Sequence, residues 1–273
     1  MPKTNSDAEV TLPFLKWAGG KRWLMRSHRD TFNLSSFDRY VEPFVGSGAV
    51  FFSLSPRKAL INDANEDLID TYRAIKSDWK AVVRLLAKHQ KVHSDDYYYQ
   101  VRADAPTTLM ARAARFIYLN RTCFNGLYRV NRRGEFNVPR GTKNSVVMDS
   151  DNFEEIATRL SRARLMSGDF EKVIDTCGSG DFVYADPPYT VKHNNNGFIK
   201  YNERLFSWSD QERLKDALIR AAKRGAKVVV SNADHPSIRE LYADAQCLTA
   251  ERHSVMASES VRRKRTTELL ISI

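Results

Sequence analysis

Apolar runs closed by polar turns alternate along the first part of the chain. "RYVEPFV" (Arg39 to Val45) and "KALIND" (Lys58 to Asp63) each read as a buried strand ending in a loop, and "GAVFFSL" between them reads as a helix packed under a sheet. From Glu66 the period changes. Leu68, Ile69, Tyr72 and Ile75, then Trp79, Val82, Val83 and Leu86, then Leu109, Met110, Ala113, Phe116 and Ile117 recur at helical spacing, predicting about three helices with no strand among them. Alternation then resumes. "EEIATRLSRARL" predicts an amphipathic helix and "DFVYA" a strand; "SDQERLKDALIRAAKRG" predicts a helix with Ser209 and Glu212 as a capping box and Gly225 as its stop. "AKVVVSN", "QCLTAERHSV" and "TTELLISI" predict later strands, the last two antiparallel at one edge. The pattern as a whole predicts an α/β sheet formed by residues 1–66 and 145–273, split by a helical insert over 67–144.

Composition narrows what such a chain does. With 273 residues and 42% apolar content it can bury one sizeable core and carry a smaller insert. No apolar run approaches the roughly 20 residues that span a bilayer, and the start lacks a signal-type stretch, so a cytosolic protein with no membrane partner is expected. Cys123, Cys177 and Cys247 stand far apart and are odd in number; they predict free thiols, with no disulfide framework and no metal pair. The formal net charge of +10 points to an anionic partner. Its distribution says more, because Arg112 to Lys143 hold eight basic residues against Glu135 alone. Phe116, Tyr118, Phe124, Tyr128 and Phe136 alternate with those arginines, as a surface meeting phosphates and bases requires, whereas a merely solvated basic face needs no aromatics.

Two turns carry candidate chemistry. After the first strand, "EPFVGSGAVFF" puts Gly46 and Gly48 in a tight turn leading into a helix, and Asp63, seventeen residues past Gly46, stands where an acid accepts from ribose hydroxyls. A dinucleotide fingerprint needs a third glycine where this chain has Phe51, and "WAGGKRW" lacks the spacing and the Ser/Thr of a phosphate loop. These residues favour a nucleoside without a diphosphate. The second turn follows "DFVYA": Asp186, Pro187, Pro188 and Tyr189 stop a strand at the rim where open α/β sheets collect ligands. Taken alone, it reads equally as a strand ending in a proline turn.

"FLKWAGGK" (Phe14 to Lys21), "EPFVGSG" (Glu42 to Gly48), "NRTCFNGLYRVN" (Asn120 to Asn131), "GEFNVP" (Gly134 to Pro139) and "DPPY" (Asp186 to Tyr189), in this order, resemble the Dam-type adenine-N6 DNA methyltransferases. The resemblance runs from Phe14 to about Ile271 and implies a Rossmann-like sheet that uses S-adenosylmethionine, with an inserted helical domain reading double-stranded DNA and no obligate protein partner. It implies cofactor contacts at Trp17, Lys21, Phe44, Gly46, Ser47, Gly48, Asp63, Asp169, Phe170 and Asp186. Asp186, Pro187, Pro188 and Tyr189 become the catalytic turn. The Asp186 carboxylate and the Pro187 carbonyl would accept the two amine protons of the target adenine, and Tyr189 would stack on the base. On DNA, Arg129 matches a guanine contact, Leu127 and Pro139 match contacts to a thymine methyl, and Phe124 with Asn125 stands beside the extruded base. Arg121, Arg132, Arg133 and Arg140 are expected to clamp phosphates, and the implied site is GATC. Phe198 and Tyr201, in the segment after the turn, could pack over the base. Methylation of a cytosine amine or of RNA adenine shares much of this chemistry, while cytosine ring-carbon methylation is disfavoured because no cysteine follows a proline. A catalytically silent DNA-binding module would have lost Lys21, Asp63 or Asp186, and all three are present.

Overall fold

The computed structural model describes residues 11–32, 37–131, 133–192, 206–253 and 265–273, the first and last pairs flanking 254–264 by backbone alone. In chain order the sheet elements are β1 (Arg39–Glu42), β2 (Ala59–Asp63), β3 (Ala163–Ser167), β4 (Asp181–Ala185), β5 (Lys227–Ala233), β6 (Gln246–His253) and β7 (Arg265–Ser272). The helices are α1 (Arg22–Ser27), α2 (Ala49–Leu54), α3 (Glu66–Val92), α4 (Asp95–Ala103), α5 (Leu109–Thr122), α6 (Phe153–Ser161), α7 (Phe170–Ile174), α8 (Trp208–Lys223) and α9 (Pro236–Leu241). One seven-stranded sheet runs in the order β3-β2-β1-β4-β5-β7-β6. The pairs β1–β2, β1–β4 and β4–β5 are parallel, while β7 is antiparallel to both β5 and β6. This is a Rossmann-like arrangement: the chain winds outward from β1 in both directions, and the order reverses between β1 and β4.

The described chain forms two compact units. Its described residues within 23–45, 57–64 and 166–273 form the sheet unit, and those within 11–22, 46–56 and 65–165 form the helical unit. Within the sheet unit, Val41, Val183, Val230 and Ile271 are fully buried beside Leu214 and Leu218 of α8, so its strands read as continuous apolar runs. Asp181 breaks that run at the head of β4, and Arg39 closes it with two hydrogen bonds of 2.8 and 2.7 Å. Within the helical unit, side chains cap four helices: Asn65 accepts from Leu68 N, Ser94 from Tyr97 N, Thr108 from Ala111 N and Asn152 from Glu155 N. Asp78 leaves the helical region at φ −152°, and its carboxylate accepts from Ala81 N at 2.9 Å, restarting α3 after a kink.

Two sequence expectations are corrected. The helix expected over "EEIATRLSRARL" stops at Ser161, and Ala163–Ser167 continues as β3. Only Ala163 of that strand is buried, so no apolar run announced it; pairing at the sheet edge overrides a local helical preference. The capping box of α8 lies two residues earlier than expected, with Ser207 accepting from Asp210 N and Asp210 accepting from Ser207 N at 2.9 Å. Glu212 instead accepts from the Trp208 indole at 2.7 Å. No helix among the described residues is long and apolar enough to cross a membrane.

Candidate active site and recognition surface

In the sheet unit the loops leaving β1, β2 and β3 are tied together at the carboxyl rim. Asn62, 1% exposed, donates to the carbonyls of Pro43 and Gly168, each at 3.0 Å, and Gly168 N donates to the Asp63 carbonyl at 3.0 Å. Asp63 itself is half-buried. Asp169 caps α7 by accepting from Glu171 N at 2.9 Å and pairs with Arg213 at 2.8 Å. Phe170 packs against Phe44 and Phe206, with centroids 5.3 and 5.6 Å away, and the Arg213 guanidinium lies 4.5 Å from its ring. Phe170 is therefore a core ring, and Phe44, half-buried beside it, is the more accessible of the two.

β4 ends where the chain turns through Asp186, Pro187, Pro188 and Tyr189, and each part of that turn is held from elsewhere in the unit. Ser231 Oγ on β5 donates to Asp186 Oδ1 at 2.7 Å and lies 2.9 Å from the Tyr184 hydroxyl. A serine has one proton to give, so Tyr184 must donate to Ser231, and a directed chain ends on the carboxylate. Gln211 Nε2 on α8 donates to the Pro188 carbonyl at 3.2 Å, and Asn232 Nδ2 donates to Gln211 Oε1 at 3.0 Å. Both amides are fully buried. Tyr189 donates to Glu268 Oε2 on β7 at 2.7 Å, and Thr190 donates to the Phe206 carbonyl at 2.6 Å. Desolvation first, and the Asp186 carboxylate next, push the Tyr184 and Tyr189 hydroxyls well above the usual phenol range, so both stay protonated donors. Pro187 is buried and Pro188 half-buried.

In the helical unit, Gly46 and Gly48 take positive φ of 48° and 69°. The conformation favours glycine, and space demands it at Gly46, where a Cβ would fall 2.8 Å from Trp17 Cδ1. Tyr72 donates to the Gly46 carbonyl at 2.7 Å, fixing the turn, and Ser47 is buried. Trp17 packs against both Phe116 and Tyr128, with centroids 6.4 and 5.8 Å away, and those two rings meet each other at 5.2 Å. Lys21 is 3% exposed, its ammonium donating to the Gly19 carbonyl at 2.7 Å. Asn120 docks the "FLKW" segment by pairing with both backbone groups of Lys16, at 2.9 and 2.8 Å.

The expected DNA contacts separate into two groups. Arg121 is corrected: it is fully buried, forks onto both carboxylate oxygens of Asp151 at 2.6 and 2.7 Å, and donates to the carbonyls of Val146 and Phe14. A phosphate cannot reach it. Phe124 and Asn125 lie in the short 3-10 turn Phe124–Gly126, and a hairpin follows, closed by Asn131, whose backbone N donates to the Glu135 carbonyl at 2.9 Å and whose side chain accepts from the backbone N of Arg133 and Glu135. Arg129 is exposed on that hairpin, and Asn137 holds it through Nε at 2.8 Å and Nη2 at 3.2 Å. Arg133, Pro139 and Asn125 are exposed and Leu127 is half-buried. Phe124 is 50% exposed, a large aromatic presented to solvent. Arg140, half-buried, pairs with Asp95 at 3.0 Å and Asn144 at 2.6 Å, which occupies part of a guanidinium expected on phosphate. Arg132, Phe198 and Tyr201 lie outside the described residues.

Sequence reasoning passed over Asn62, Ser231, Gln211 and Glu268. Each is a polar residue buried inside or beside an apolar strand or helix. That misfit is the signal that could have found them.

A family model described as D12 class N6 adenine-specific DNA methyltransferase matches residues 17–257. A type II methyltransferase of Lactococcus lactis subsp. cremoris is 39% identical over 269 residues, covering 95% of this chain and 94% of its own. One from Methanocaldococcus jannaschii is 37% identical over 245 residues, covering 81% and 84%. A DNA adenine methylase of Vibrio cholerae is 32% identical over 263 residues, covering 94% of each chain.

Proposed function

The chain belongs to the D12 class of N6 adenine-specific DNA methyltransferases, and from that premise we propose that it methylates an adenine extruded from duplex DNA, within GATC. The observation that carries the reading is the Asp186 carboxylate, set at the end of β4 and aimed by Ser231. The family implies S-adenosylmethionine, which supplies an electrophilic methyl group on a sulfonium when bound. The chemistry of the residues suits that molecule in each unit taken by itself: in the sheet unit the Asp63 carboxylate suits ribose hydroxyls and Phe44 offers apolar surface, and in the helical unit the Lys21 ammonium suits a carboxylate and Trp17 offers apolar surface. Ser47 and the Gly46 and Gly48 turn complete the proposed contacts, with Asp169 and Phe170 supporting the neighbouring loop.

An adenine amine is a poor nucleophile because its lone pair is delocalised into the ring. Acceptors for its two protons localise that pair and favour the pyramidal nitrogen of the transition state. Asp186 supplies one acceptor. The Pro188 carbonyl already accepts from Gln211, and the Pro187 carbonyl is proposed as the other acceptor, its direction set by two restricted proline φ angles. Tyr189 stacks on the base, which must leave the duplex for its amine to be reached. Incubating the purified chain with cofactor and GATC duplex, then resolving the nucleosides, is expected to yield N6-methyladenine at that site. A methylated cytosine amine, or activity confined to RNA, would overturn the proposal.

Arg129 is proposed to read the guanine. Asn137 steadies its Nε side, and among the described residues no carboxylate pairs with it, so the fork can face the major-groove edge of the base. Arg129→Ala is expected to cost about 1–3 kcal/mol of discrimination at that guanine. Competition between GATC and duplexes altered at the first position measures it; equal weakening on all of them would make Arg129 a phosphate contact. Arg132, Arg133 and Arg140 are assigned to phosphates, and Phe124, Asn125, Leu127 and Pro139 to the bases.

A further inference from the structure

β7 runs antiparallel to β5, so its first half lies at the rim where the parallel strands end. Glu268 is paired in register with Ala233, the last residue of β5. It is 4% exposed and leads into Leu269, Leu270 and Ile271, all buried. A carboxylate at such a position is disfavoured against a leucine of similar size unless it is paired and hydrogen-bonded. One partner is the Tyr189 hydroxyl at 2.7 Å, 79 residues away along the chain. Tyr189 closes the Asp186 to Tyr189 turn, so this buried acid reaches the one aromatic ring of that turn.

We propose that Glu268 is a positioning residue for methyl transfer: by holding the Tyr189 hydroxyl it fixes the plane of the ring against which the target base stacks. The proposal rests on the adenine-methylating reading above. The backbone holds only one end of a tyrosine ring, which can still swing about its two side-chain torsions. A hydrogen bond at the opposite end removes that freedom. The stacked adenine takes its plane from the ring, and the plane determines whether the amine lone pair lies in line with the methyl group. Alignment of this kind governs the rate of the chemical step more than the affinity for either substrate. Glu268 acts in this account through the Tyr189 hydroxyl that it holds.

The test compares single-turnover methylation of a GATC duplex by the wild-type chain, Glu268→Ala, Glu268→Gln, Tyr189→Phe and the Tyr189→Phe/Glu268→Ala double variant. Glu268→Ala and Tyr189→Phe are each expected to slow the chemical step roughly tenfold, with KM for the cofactor and duplex affinity within about twofold of wild type. Glu268→Gln keeps an acceptor for the hydroxyl and is expected to recover to within about threefold. The double variant should be no slower than the slower single one, because both remove the same interaction. Full rate in Glu268→Ala or in Tyr189→Phe overturns the proposal. So does multiplication of the losses in the double variant, or a Glu268→Gln rate equal to that of Glu268→Ala, which would mean that charge and not the hydrogen bond matters. If Glu268→Ala fails to fold, Tyr189→Phe and Glu268→Gln still decide by the same criteria. A wild-type chain that forms no N6-methyladenine overturns the parent reading and this one together, whereas an active wild type with unaffected variants overturns this one alone.

Discussion

Asp186→Ala is expected to lower the single-turnover rate of methyl transfer by at least about 10²-fold while leaving duplex affinity within about twofold. The size follows from where the carboxylate acts. Hydrogen bonding to the amine matters little while the nitrogen is planar and grows as the nitrogen pyramidalises, so the loss falls on the transition state and not on the bound ground state. Asp186 is also a proposed cofactor contact, and the measurement must therefore be made at saturating S-adenosylmethionine. Asp186→Asn separates two explanations for the loss. The Ser231 hydroxyl donates to one carboxylate oxygen, and in the variant the amide oxygen takes that place. The amide nitrogen, a donor, then faces the amine, another donor, so an isosteric side chain is expected to be as inactive as alanine. Turnover retained by Asp186→Asn would show that the turn only shapes the pocket.

How much of this was legible from residues alone depended on the range of the contacts involved. β1, β2, β4 and β5 could be read because each is a short apolar run with its own stop, and the Asp186 to Tyr189 turn because two prolines cannot extend a strand. β3 could not, since an edge strand with a single buried residue has no periodic signature of its own. At the start of α8, Ser207 with Asp210 and Ser209 with Glu212 both have capping-box spacing; the choice is made by the folded backbone, not by the string. The network behind the turn was invisible for a different reason. Ser231 meets Asp186 across 45 residues, Gln211 meets Pro188 across 23 and Glu268 meets Tyr189 across 79, so their roles exist only once β5, α8 and β7 are packed. Arg121 and Arg129 look alike in the sequence, eight residues apart in one basic stretch, yet one has found a buried acid and the other has not.

That difference gives the largest stability effect expected for the molecule. Arg121→Met removes a guanidinium that is fully buried and leaves Asp151 charged, nearly buried and short of its bidentate partner. The carbonyls of Phe14 and Val146 lose donors at the same time. Breaking a buried pair from one side costs about 3–5 kcal/mol, because the survivor keeps its desolvation without its attraction. Arg121→Lys is expected to fall in the same direction, since a point charge cannot replace a planar fork that serves two carboxylate oxygens and two carbonyls. Removing both charges with Arg121→Met/Asp151→Leu should recover part of the loss, which a double-mutant cycle in urea would report as a coupling between the two positions. The phosphate-clamp assignment makes the opposite forecast. A clamp removed would leave the unfolding midpoint where it was, weaken all duplexes alike and flatten the dependence of affinity on salt by about one counterion. Unfolding and salt-titration curves on the same variant therefore distinguish an arginine that holds the helical unit together from one that holds DNA.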